Sequence, residues 1–185
     1  MTSFPRKLIL LAALACAAMV VPAGLALASG DHGQARHRHP SSQDKEWLTS
    51  AIQGAKFEVL GGMTAVHHAS SPAVKAFGKR MIRDHSREYR DLRAVAHRLG
   101  VPAPTRPDPE QRKSLWVLSH FWGGKFNCAY ITDEYSDHVG DKAEAELEIA
   151  AGSNHVVKQN AHQWLRVYEM HLSMASHILL SLNHC

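Results

Sequence analysis

Apolar residues return every three or four positions along most of this chain. They do not alternate with polar ones over any run of β-branched residues, so the pattern predicts helices and no sheet. A first helix is expected from about Ser42 to Ala69, with Ile52, Ala55, Val59, Gly62 and Val66 as one buried stripe. Ser71-Pro72 then pairs an N-cap residue with proline at the first helical position. The second helix should run to about Arg98, with Gly100 as its left-handed stop. Its stripe is Val74, Phe77, Met81, His85, Leu92, Val95 and Leu99.

Val101 to Pro109 contains four prolines and reads as a connection. A short helix is expected over Pro109 to Trp122, ended by Gly123-Gly124. A third long helix should span Phe126 to Ala151, with Gly152-Ser153-Asn154 as the turn. The fourth should span His155 to Leu182, with Ala161, Trp164, Tyr168, His171, Ala175, Ile178 and Leu182 inward. Two hairpins joined by one long crossover give an all-α four-helix bundle. Its connectivity is ferritin-like, and the short extra helix lies on the crossover between helices 2 and 3.

The amino-terminal region does not fit this pattern. Arg6-Lys7 precedes an uncharged apolar run that ends at Ala26-Leu27-Ala28, which predicts a signal peptide over 1–28. Pro22 and Gly24 interrupt the run, which argues against a retained anchor, and Cys16 lacks leucine three residues before it. Residues 29–43 read as a flexible histidine-containing linker and 44–185 as the bundle domain. The expected location is the periplasm or outer envelope of a bacterium, with no membrane span after signal cleavage.

Charge adds little. Lys plus Arg is 21 and Asp plus Glu is 17, and two of the cations fall in the leader. A surplus of two is no phosphate-tracking stripe, so nucleic acid is not an expected partner. No feature names a protein partner. The G-x-S-x-G, phosphate-loop, C-x-x-C and H-E-x-x-H patterns are all absent.

The unusual number is 14 histidines. The helix midpoints fall near residues 56, 85, 139 and 169, and Glu58, Asp84-His85, His138 and His171 lie beside them. Helices of equal length packed side by side bring their midpoints to one depth. Glu58, His85, His138 and His171 are therefore candidate metal ligands, with Asp84 and Tyr130 placed to orient the imidazoles. Iron, copper or zinc suits an imidazole-rich site. The Glu-x-x-His pairs of di-iron bundles are missing: Glu134 precedes His138 by four, and His85-Ser86-Arg87-Glu88 runs in reverse. A buried network in which each imidazole bonds a carboxylate or tyrosine satisfies the same residues without an ion. His32, His37 and His39 form a second, weaker chelating tract or a solvated tail. Cys128 and Cys185 remain after cleavage in a compartment that permits disulfides. Bridging them requires the tail to bend back beyond the fourth helix.

Val74-Lys75-x-Phe77, Arg80-Met81-Ile82, Asp84-His85, Phe126-x-x-x-Tyr130 with His138 eight residues on, and His171-Leu172-x-Met174-Ala175 together carry a resemblance. It is to a bacterial envelope ferritin-like family, domain of unknown function 4142, also called predicted outer membrane protein. Glu58 matches that family's acidic position in the first helix. Asn127 and Arg166 depart from it, standing where the family has aspartate and proline. The resemblance implies the fold and the envelope location, and no reaction. Two functions fit. One is an exported bundle with a structural or stress-related role and no catalysis. The other is a transition-metal-binding or redox bundle built on the mid-bundle cluster.

Overall fold

The computed structural model describes residues 39–182 and Cys185. The expected signal peptide, most of the linker, and His32 and His37 lie outside the described residues. His39 is exposed and belongs to neither group of converging ligand atoms among the described residues. The described residues form five helices: α1 (Ser42–His68), α2 (Pro72–Leu99), α3 (Pro109–Leu118), α4 (Gly123–Ala151) and α5 (His155–Ser181).

α1 begins two residues inside the span expected for the linker. Ser41 and Asp44 close a reciprocal capping box there, which draws Ser42 and Gln43 into the helix. α2 starts at Pro72 behind the Ser71 cap and stops at Gly100, with φ 68°. The short helix α3 ends earlier than expected, at Leu118. The Ser119, His120 and Phe121 amides tie back onto its last carbonyls. Gly123 does not end that helix: with φ 60° it opens α4, three residues ahead of Phe126.

α1 packs along α2, and α4 along α5, as hairpins; α1 also lies against α4, and α2 against α5. The N-terminus of α1 meets the α4–α5 turn, where Asp44 accepts hydrogen bonds from Ser153 N (3.0 Å), Ser153 Oγ (2.8 Å) and Asn154 N (2.9 Å). That contact makes α1 antiparallel to α4, and so α2 parallel to α4. A parallel pair needs a connection running the length of the bundle, which residues 100–122 supply, with α3 laid against α1 and α4.

The buried face of α1 is wider than one stripe. Phe57, Glu58 and Gly61 are buried as well as Ile52, Ala55 and Gly62, whereas Val59 and Val66 are half-buried. α1 has neighbours on several sides, which explains the width. Gly62 and Gly78 set the α1–α2 distance: a Cβ at Gly62 would stand 2.6 Å from the Gly78 carbonyl oxygen. At the far end, Asn127 Oδ1 accepts from Ser70 N (3.1 Å) and Ser71 N (3.4 Å), stapling the α1–α2 turn to α4. Cys128 and Cys185 are joined, with Cα atoms 5.2 Å apart, and Cys185 N donates to Leu182 O.

The apolar core comes in two blocks. One gathers Trp47, Leu48, Ile52, Leu92, Val95, Val157 and Trp164. The other gathers Ala65, Val74, Phe77, Met81, Phe126 and Ile131. Glu58, His85, Glu88, Glu134, His138 and His171, all buried, belong to neither block.

Candidate metal centre

Three imidazoles meet at mid-bundle, one from each of α2, α4 and α5. His85 sits one turn past Met81, His138 two turns past Ile131, and His171 one turn before Ala175, so each continues its helix's buried stripe. His85 Nε2 lies 3.3 Å from His138 Nε2, which lies 3.1 Å from His171 Nδ1. All three side chains are essentially sealed from solvent.

The outward nitrogens decide the tautomers. His138 Nδ1 donates to the Glu134 carbonyl oxygen (2.8 Å), an atom that can only accept. His85 Nδ1 donates to Glu88 Oε2 (2.6 Å), whose other oxygen accepts from the Tyr168 hydroxyl. His171 Nε2 donates to Asp84 Oδ2 (3.1 Å). Burial alone would raise the Asp84 pKa, but hydrogen bonds from Arg80, His171 and Arg83 lower it, so it is an ionised acceptor. Each neutral ring has then committed its one N–H outward. The three inward nitrogens are all bare lone pairs, and they face one another.

Protonating a ring does not relieve this readily. Burial, then the neighbouring His85 and His171, holds His138 well below the usual imidazole range. Burial and His85 push His171 down to about 3, against the pull of Asp84. Ligand nitrogens of a tetrahedral ion bound at 2.0–2.1 Å stand ~3.3 Å apart, which the His85–His138 and His138–His171 spacings match. Each ring is also braced by a carboxylate or carbonyl on its far side, the outer support that metal-bound histidines carry.

Asp84 holds the His171 ring from its outer side. Tyr130 does not: its hydroxyl meets no imidazole nitrogen, and its ring lies against Phe77 and Phe126. Glu88, Tyr168 and the Glu134 carbonyl take the orienting role instead. Glu88 was visible only as the tail of a reversed His-x-x-Glu; three residues on, it lies on the same helix face as His85. Glu58 is at the right depth but outside the imidazole trio. Oxygens of Glu58 and Asp141 lie within 4.8 Å of each other and of a His138 ring nitrogen. Arg166, standing in place of the family proline, leaves α5 unbroken and lines an open groove of about 500 Å³ with Arg80, Asp84 and Arg87.

Of the other histidines, His68 is half-buried and stacks on Trp122 at 3.6 Å. His67, His97, His120, His155, His162 and His177 are exposed.

The family described as Domain of unknown function (DUF4142) matches residues 29–178. The chain belongs to that family. A crystal structure of a DUF305 fragment from Deinococcus radiodurans is similar, with a TM-score of 0.68 at 13% identity, over 77% of this chain and 98% of that one. At that identity the likeness shows a shared helical fold alone. No curated protein matches the chain. No helix among the described residues is long and apolar enough to cross a membrane.

Proposed function

We propose that this protein binds one transition-metal ion in the bundle core through His85 Nε2, His138 Nε2 and His171 Nδ1, in the bacterial envelope. One observation carries the reading: three imidazole nitrogens converge within 4.8 Å of one another, the His138 nitrogen 3.3 Å from His85 and 3.1 Å from His171, with every ring N–H turned away. A purely structural or stress-related bundle explains the outward hydrogen bonds but leaves the inward nitrogens repelling one another. Nitrogen donors favour a borderline ion, zinc, copper or iron. Such an ion is a Lewis acid when bound, and copper or iron adds redox chemistry. Ligands this buried suit retention or buffering of the ion, and the outer braces hold the rings to one geometry before it arrives.

The envelope location rests on the leader pattern of residues 1–28 and on the family resemblance. It is tested by the intact mass of protein recovered from the envelope, which should lack those residues.

The metal reading is tested by elemental analysis of the full chain purified without a histidine tag. One zinc, copper or iron per chain is expected, retained through dialysis and absent from His171→Ala. A wild-type chain that holds no ion and takes none up would overturn it.

A further inference from the structure

One seam of the bundle gathers carboxyl groups with no lysine or arginine paired to them. Glu134, Asp137 and Asp141 recur at three- and four-residue spacing, so they form one row along α4. Glu58 of α1 meets this row. It is fully buried, and no hydrogen-bond donor reaches either of its oxygens. Glu134 Oε2, Asp137 Oδ2 and the Tyr130 hydroxyl are buried in the same condition. Among the described residues, no lysine or arginine forms an ion pair with any of the four carboxylates. The only such contact is His138 Nδ1 at 3.8 Å from Glu134 Oε2, and that nitrogen already donates to a carbonyl.

The backbone is shaped around the seam. Gly54 and Gly61 lie four residues before and three after Glu58, on its face of α1. A Cβ at Gly54 would come 3.7 Å from Asp141 Oδ1, and one at Gly61 would come 3.5 Å from Glu134 Oε1. Gln111 and Leu115 of α3 reach the same two glycines, so α3 lies across the seam from outside. Two buried and two half-buried carboxyl side chains from two helices, three of them with a buried oxygen that no donor reaches, are an arrangement that a bound cation satisfies and an apolar core does not.

We propose that this seam holds a second ion, a hard divalent cation bound by carboxylate oxygens of Glu58, Glu134, Asp137 and Asp141, beside the three-histidine ion. The two donor sets sort the ions: imidazole nitrogens take the borderline transition metal, and the oxygens take a cation such as manganese(II), iron(II), magnesium or calcium. The two positions are neighbours, because His138 borders both sets. The proposal goes beyond the three-histidine reading, and the two fail separately.

The test uses the full chain loaded with one equivalent of zinc and then titrated with manganese(II), with free manganese read by electron paramagnetic resonance. One manganese per chain is expected, with the zinc retained. The double variant Glu58→Gln with Asp137→Asn, nearly isosteric and checked for unchanged helix content, should lose manganese affinity by at least ~100-fold and keep its zinc. His171→Ala should lose the zinc and keep manganese binding. Zinc uptake with no manganese uptake overturns the second site alone. A single ion whose retention needs both His171 and Glu58 overturns it too, by making Glu58 a ligand of the first. If the double variant misfolds, the wild-type stoichiometry still decides.

Discussion

The orientation of single N–H bonds gives the mid-bundle cluster its meaning. A buried imidazole normally offers one donor and one acceptor and finds a partner for each. Here three donors are used and three acceptors are stranded together. Glu88 is central to this, since it accepts from His85 on one oxygen and from Tyr168 on the other. Glu88→Gln keeps the shape and weakens the acceptor, so transition-metal affinity should fall ~10–100-fold with the three ligands intact. A metal-binding titration of the variant checks it. A second residue-scale prediction concerns Glu148, whose carboxyl is packed at the α4–α5 turn. Burial, then the neighbouring Asp44 carboxylate, pushes its pKa up to about 8. A pKa raised above its unfolded value of 4.5 stabilises the fold fully below pH 4.5, and that stabilisation is lost as pH rises through 8. Glu148→Gln removes the titration. Its stability relative to wild type should therefore increase between pH 5 and pH 8, by about 1–3 kcal/mol at the upper end, as read from urea midpoints. No change in the difference with pH would refute the assignment.

Each long helix delivers one level of polar side chains between two apolar blocks. The stripes of α2 and α5 were legible because their inward positions are apolar apart from His85, Glu88 and His171. α4 was harder to read: Asn127, Glu134, His138 and Glu148 all point inward, and polar residues at core positions erase the periodicity that marks a buried face. The acidic row Glu134, Asp137 and Asp141 therefore gives no sign of burial in the sequence, and only the placement of Glu58 against it sets it apart. The depth of the site could be read from helix midpoints alone, whereas ring orientation depends on packing that no spacing encodes. The α1–α2 approach also lies outside the pattern, because glycine reads as a gap in a stripe. At Gly62 it is the contact itself, facing the Gly78 backbone. Gly62→Ala should therefore cost about 1–3 kcal/mol through overpacking, measured by chemical denaturation. Gly140→Ala, where an added Cβ meets nothing, should cost far less.

For the whole molecule, the long crossover makes α2 and α4 parallel and brings His85 and His138 to one level from helices that are not hairpin partners. Asp44 at the α4–α5 turn staples one end of this frame, and Asn127 and the disulfide hold the opposite end. The bridge links residues 57 apart in sequence, so Cys185→Ser should lower unfolding free energy by about 2–4 kcal/mol while leaving metal stoichiometry unchanged. The family assignment brings no activity with it, so the claim about function rests on the three-histidine centre. X-ray absorption at the metal edge of the tag-free, metal-loaded full chain tests that claim most directly. The account predicts three imidazole nitrogens bound at about 2.0–2.1 Å, with imidazole scattering reduced in His171→Ala. An ion surrounded by oxygen, or by fewer than three imidazoles in the wild-type chain, would contradict it.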